Sequence, residues 1–474
     1  MPRRRGSLKK PVVILSAAAA LLVAAWVTTS VSFSWRPASP DAAPENLPGN
    51  GAPDLTIAEA KRRAPARIDY RRLDERLQRL AQEPSMVGLA VGIVENGEIR
   101  FVKGYGITYG GGNEPVTADT IFRWASVSKG VAADMVAKLA GDGRLSLYEP
   151  VAKYAVSLRL PAGNEHRATV SDVLSHRLGL FSHANDSKLE DGMNPRYLRS
   201  ELATLNSICP PGSCWAYQNV AYDAASEIVE KVTGKPYQQA VREQLFLPLG
   251  MSSATMSRDG LVTARSWARP HRGGKNSKPV EVTEPYYRVP AAGGVNSSIK
   301  DLAIWMQAQM GEAPEVLSPK VLSAVQSPRA STPGELGRMR KFRERLNTAA
   351  YGLGWRIYDY AGHRIIGHRG GVTGYRSLVM FDPESKSGVV ALWNSSATQP
   401  GGLEFEVMDM IFRLPFKDWM ELDGKKGPPL PQPQEMLKEE EEEEAPASPP
   451  PAAAKAKAAE AQPRSANGRK PSAR

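Results

Sequence analysis

Strand-like runs stand at both ends of the body of this chain, and the stretch between them is dominated by helical periodicity. At the front, residues 87–94 and 99–105 are apolar, strand-length runs joined by Asn96-Gly97, a pair that favours a type I′ hairpin turn. Near the end, residues 351–358, 363–366, 374–381 and 387–393 are short and rich in β-branched or aromatic residues. In the middle, residues 131–139, 221–232 and 299–310 carry helical spacing between Pro and Gly breaks, and 68–82 add a helix before the first strand. Pairing early strands with late ones in one antiparallel sheet turns everything between them into an insertion. The expected class is α+β: an antiparallel sheet flanked by helices, with a largely helical inserted subdomain.

The flanks differ from the body. Residues 1–10 carry Arg3, Arg4, Arg5, Lys9 and Lys10, and nothing from Pro11 to Trp35 is charged. A run of that length can cross a membrane, and the basic cluster holds the N-terminus inside, so the rest of the chain is exported. A cleaved signal peptide shares this charge pattern, with Ser30-Val31-Ser32 as a fair cleavage site. The expected organisation is an N-terminal membrane anchor or signal helix at 1–36, a Pro/Ala/Gly-rich linker at 37–66, one folded domain at 67–421, and a low-complexity tail at 422–474. That tail includes six consecutive glutamates at 439–444, and no partner is evident for it. This places the body in the cell envelope, on the extracytoplasmic side of the inner membrane, or secreted if the helix is cleaved.

The net charge of +11 is concentrated outside the body, since the first 40 residues hold six basic side chains and no acid. The remainder is too weakly basic for a phosphate-tracking surface, and nucleic acid is excluded as a partner. The two cysteines, Cys209 and Cys214, are too few for tetrahedral zinc. In an oxidising compartment they can close a small loop through Pro210-Pro211-Gly212, the alternative being two unrelated core thiols.

Three constellations can carry chemistry. Ser126-Val-Ser-Lys129 places a hydroxyl and an amine three residues apart, neighbours on one helical face, so that the amine can accept the serine proton if its pKa is lowered. The same spacing occurs at Ser7/Lys10, which is topogenic charge, and at Ser297/Lys300, where Ser297 or Ser298 reads as a helix N-cap. Tyr217-Gln218-Asn219 offers a proton shuttle and an amide that can hold a carbonyl. His368-Arg369-Gly370-Gly371 lies between strand-like runs, where glycines let a substrate approach the backbone edge. Its rival, His271-Arg272-Gly273-Gly274, sits in a polar stretch and is expected to be a surface loop. His176 and His183 read as structural. Trp124 and Trp215 stand near two motifs and are expected to shape the pocket.

In this order, Ser126-x-x-Lys129, Tyr217-x-Asn219 and His368-x-Gly370 resemble the serine β-lactamase and penicillin-binding-protein superfamily, in particular its class C-like branch of β-lactamases, D,D-carboxypeptidases, D-aminopeptidases and esterases. Leu174-Ser-His-Arg-Leu-Gly-Leu180, Pro248-Leu-Gly-Met251, Pro290-Ala-Ala-Gly-Gly294 and Tyr351-Gly-Leu-Gly-Trp355 extend the likeness over residues 68–418. The resemblance implies Ser126 as acylated nucleophile, with Lys129 and Tyr217 sharing general-base and general-acid duty. Asn219 would orient the substrate, His368 would lie beside Tyr217, and the backbone N–H groups of Ser126 and Gly371 would form an oxyanion hole. No cofactor or metal is implied. The third motif departs from the Lys-Thr/Ser pattern of many β-lactamases: a mostly neutral His is a weaker partner for a substrate carboxylate. Arg369 either restores that recognition or faces outward. The expected substrates are D-amino-acid-containing peptides or small esters. The alternatives are a β-lactamase proper, or a non-catalytic penicillin-binding or scaffold protein of the envelope.

Overall fold

The computed structural model describes residues 67–424. The expected membrane segment, the linker at 37–66 and nearly all of the tail lie outside the described residues. Among the described residues no helix is long and apolar enough to cross a membrane.

The expected joining of the two ends is what the chain does. Helix α1 (Tyr70–Gln82) leads into the hairpin of β1 (Gly88–Glu95) and β2 (Glu98–Gly106). Asn96 and Gly97 both have positive φ, as a type I′ turn requires. After the short β3 (Phe122–Arg123), which pairs with β4 (Asn296–Ser297), the strands β5 (Ala330–Ser331), β6 (Leu346–Tyr351), β7 (Arg356–Tyr360), β8 (His363–Val372), β9 (Tyr375–Asp382) and β10 (Ser387–Trp393) complete the main sheet. Its order is β2-β1-β10-β9-β8-β7-β6-β5, antiparallel throughout.

Both faces of this sheet are covered, which is why β1 is buried at every position. Alternation sends Leu89, Val91 and Ile93 toward α1 and the last helix, Leu403–Ile411, where they pack with Leu73, Leu77, Phe405 and Met408. Ala90 and Val94 point to the opposite face, into a second core built with the inserted region, including α2 (Ser128–Gly141), Ala224–Thr233 and Ile299–Gln309. On the outer face, Arg76 of α1 is buried. It bonds Glu406 at 2.5 Å, Asp418 at 2.5 Å and Asp423 at 3.0 Å, tying the first helix to the last described segment.

One strand expectation is corrected. Residues 351–358 do not form a single strand, because β6 ends at Tyr351 and β7 begins at Arg356. Between them the Gly354 amide donates to the Leu174 carbonyl, and Gly354 has a φ of +73° with no room for a side chain against the Lys129 carbonyl. The link is thereby pressed onto α2, where a continued strand could not reach.

Cys209 and Cys214 are joined by a disulfide. Their loop is pinned by Ile208 N to Gly179 O (2.8 Å), Gly212 N to Arg177 O (2.7 Å) and Ala216 N to His176 O (2.9 Å). Replacing both cysteines with serine releases a short cross-link, and a loop of this size is worth about 2 kcal/mol. The expected result is a lowered urea midpoint at unchanged slope, checked by equilibrium unfolding.

Candidate active site

The hydroxyl of Ser126 is presented by a strained entry into a helix. β3 ends at Arg123, and Ala125 takes a φ of 47° at the start of a single turn of 3₁₀ helix (Ala125–Val127) that runs into α2. That left-handed residue turns Ser126 out of the core while its neighbours Trp124, Ala125 and Val127 stay buried, and strain of this kind clusters at functional positions. One turn further, Lys129 is completely buried. Its Nζ lies 3.4 Å from Ser126 Oγ, 2.6 Å from Asn219 Oδ1 and 3.1 Å from the Ala292 carbonyl oxygen. The ammonium position also sits 4.6 Å from the centre of the Tyr217 ring.

Asn219, expected to orient substrate, has both ends of its amide engaged inside the protein. Nδ2 donates to Asp186 Oδ2 at 2.6 Å, and because a carboxylate only accepts, Oδ1 must face Lys129. Asp186 also holds His183 Nδ1 at 2.7 Å. Sequence reasoning did not single out Asp186: an acidic residue opening a short helix (Asp186–Glu190) reads as a first-turn charge and carries no local signal of a partner in another segment.

The third motif reaches the same place along β8. β7 pairs with β8 only up to Gly367, so His368–Val372 have β9 on one side and, among the described residues, no strand on the other. Gly370 passes so close to the Ser126 turn that a Cβ there would collide with the Trp124 carbonyl and Ser377 Oγ and stand 3.0 Å from the Ser126 nitrogen. Gly370→Ala is therefore expected to displace the edge and lower kcat by about 100-fold, the cost of one misplaced oxyanion donor. The comparison of kcat with KM checks this, since a lesion confined to the reacting centre spares KM.

His368 is buried, with its ring centre 6.3 Å from that of Tyr217, and its Nε2 meets Tyr351 Oη at 3.1 Å. Burial holds it well below the usual histidine range, with Arg356 and Lys129 adding repulsion. His176 reaches the same Tyr351 Oη at 3.2 Å, and its burial and the Lys129 charge depress it likewise.

Several expectations are corrected. His271 is no surface loop: it is fully buried, with Nε2 accepting from the Gly110 amide at 3.0 Å and Nδ1 donating to the Asn394 carbonyl at 3.1 Å. Its polar neighbours face solvent while the ring turns inward. Of the two readings of Arg369, the outward one is borne out: alternation along β8 sends it to the far face, where Nε bonds the buried Glu404 at 2.9 Å, away from substrate. Trp124 is a core pillar instead of a pocket wall, packed on Trp305 at 5.3 Å with its Nε1 on Ser297. Trp215 does flank the site, 5.8 Å from Tyr351 and 6.4 Å from Tyr217. Ser298 caps Ile299–Gln309, and Lys300 pairs with Asp119, which removes that Ser-x-x-Lys from contention.

A family model described as Beta-lactamase matches residues 73–408, a span that contains all three motifs. The chain belongs to the β-lactamase family. It is a serine hydrolase of that family, with the antiparallel sheet and flanking helices of the β-lactamase/transpeptidase-like fold. This β-lactamase-family chain is 29% identical over 325 residues to "Unguisins hydrolase ungD'" of Aspergillus campestris, covering 65% of this chain and 58% of that protein. It is also 29% identical over 230 residues to the D-alanyl-D-alanine-carboxypeptidase/endopeptidase AmpH of Escherichia coli, covering 46% of this chain and 56% of AmpH. It therefore spans little more than half the length of either relative. Among solved structures, the octameric penicillin-binding protein homologue from Pyrococcus abyssi superposes with a TM-score of 0.65 at 25% identity, over 73% of this chain and 78% of that one.

Proposed function

We propose that this chain hydrolyses D-amino-acid-containing peptides or small esters through an acyl-enzyme on Ser126. The observation that carries the reading is the placement of Lys129 Nζ. Two fixed acceptors, Asn219 Oδ1 and the Ala292 carbonyl, can hold two of its hydrogens, so that on giving up its third proton the amine can turn its lone pair toward Ser126 Oγ. In acylation, Oγ bonds to the substrate carbonyl carbon while its proton passes to the Lys129 and Tyr217 pair. The developing oxyanion meets the backbone N–H groups of Ser126 and Gly371, and the same pair returns the proton to the leaving amine or alcohol as its bond to carbon breaks. Water then releases the acyl group by the same route in reverse. Asn219 keeps Lys129 in register and borders the substrate.

The activities named for the relatives, a carboxypeptidase/endopeptidase and an esterase among them, support the peptide and ester classes. On this reading the domain works outside the cytoplasm, attached through or released from its N-terminal apolar run. The Cys209–Cys214 disulfide supports that placement, because such bonds persist in oxidising compartments. Intact-mass analysis after incubation with a chromogenic ester, and separately with a penicillin, tests the chemistry. An acyl adduct that maps to the peptide containing Ser126 is the expected result, and an adduct elsewhere, or none with either reagent, overturns it.

A further inference from the structure

Four hydrogen bonds link the Tyr217–Asn219 loop to the β8 edge, and the chemistry of their ends fixes the direction of them all. At one end the Gln218 backbone N–H, which can only donate, points at His176 Nδ1 from 3.1 Å. The proton of a neutral His176 is then on Nε2, from which it bonds Tyr351 Oη at 3.2 Å. At the other end His368 Nδ1 lies 2.6 Å from the Arg369 carbonyl oxygen, which can only accept. The proton of a neutral His368 is thus on Nδ1, and its Nε2 receives the Tyr351 hydroxyl hydrogen at 3.1 Å. Both rings are buried, and two cations, Lys129 and Arg356, oppose the charging of either.

This arrangement decides what the third motif can offer a substrate. A side chain that greets a carboxylate must present a donor, preferably a charged one. His368 has its one proton on the Arg369 carbonyl and its other nitrogen on Tyr351. Arg369 is on the far face with Glu404, and Arg356, whose guanidinium lies 5.8 Å from the Tyr217 ring centre, is paired with the buried Glu335. We propose that His176 and Tyr351 are specificity-determining positioning residues: they hold His368 with Nε2 turned onto Tyr351, so the third motif offers no cationic donor, and the site selects acyl donors bearing an amide or ester, not a free carboxylate, beside the scissile bond. This rests on the acyl-enzyme reading above and names the substrate class within it.

The test has two arms on the full-length chain. In the first, wild type labelled with ¹⁵N-histidine is followed by two-bond proton–nitrogen correlation from pH 5.5 to 8. His368, assigned by its loss in His368→Gln, is expected as the Nδ1–H form throughout, and His176 as the Nε2–H form. A His368 that carries its proton on Nε2 or titrates in this window overturns the proposal. In the second, N-acetyl-D-alanyl-D-alanine and its C-terminal amide are compared in wild type and Tyr351→Phe. Wild type is expected to favour the amide by about tenfold or more in kcat/KM. Tyr351→Phe leaves His368 Nε2 open to protonation, a change that favours the carboxylate form, so the preference is expected to shrink as pH falls from 8 to 5.5. A merely structural role for Tyr351 lowers both substrates equally and leaves the ratio constant with pH, which overturns the proposal. Preference of wild type for the free acid sinks this inference alone, whereas a wild type that turns over neither and forms no adduct sinks the reading beneath it as well.

Discussion

Ser126→Ala is expected to lower kcat/KM by about 10⁴-fold or more on every substrate the wild type accepts, because removal of a nucleophile leaves only binding and oxyanion stabilisation. The effect should be confined to chemistry. Ser126 Oγ is bonded to Lys129 at a long 3.4 Å, and the side chain borders the surface instead of filling the core. The thermal midpoint of the variant is therefore expected within a few degrees of wild type, since surface-type substitutions change stability by about 0.5 kcal/mol or less. Residual turnover near the wild-type level would assign the nucleophile elsewhere and would remove the basis for the roles given to Lys129 and Tyr217. Parallel melting curves and steady-state assays on one preparation decide the matter.

The second large effect belongs to Lys129→Met, which keeps the apolar stem and deletes the amine. General-base catalysis contributes about 10² to 10⁴-fold, and kcat is expected to fall within that range with little change in KM. The variant also leaves Asn219 Oδ1 and the Ala292 carbonyl without the donor they now share, and a buried acceptor left unpaired costs about 1 to 3 kcal/mol. Burst-phase kinetics separates the two consequences. A slowed burst of full amplitude reports lost proton transfer on an intact site, whereas a diminished burst at the normal rate reports a misfolded fraction and would argue against the base assignment.

Legibility in the sequence followed the range of the interactions involved. The hairpin at Asn96-Gly97, the helix at Tyr70–Gln82 and the antiparallel union of early and late strands are encoded in local periodicity and turn chemistry, and all are found in the fold. The three motifs also converge as their order suggested, since Lys129 contacts Ser126 and Asn219, and His368 stands near Tyr217. What stayed hidden depends on contacts between distant segments. His271 is inward although its neighbours are polar, because the Gly110 amide and the Asn394 carbonyl reach it from other loops. Asp186 becomes part of the site only because Asn219 and His183 converge on one of its oxygens. The side to which Arg369 points could have been read from strand alternation once His368 and Gly370 were assigned to the site, but the acid waiting there, Glu404, lies in a helix after the last strand.

The sheet order carries a consequence for how the polypeptide matures. β1, buried at every position, lies between β2, its hairpin partner, and β10, the last strand in the chain. While the chain is being synthesised, the N-terminal hairpin therefore shows an unpaired apolar edge until Trp393 has emerged, nearly the whole domain later. Contacts so distant along the chain slow folding, and an open strand edge is a template for association with other chains. Until β10 arrives, the nascent hairpin is the part of this enzyme most exposed to misassociation, so shielding that edge protects the folding yield.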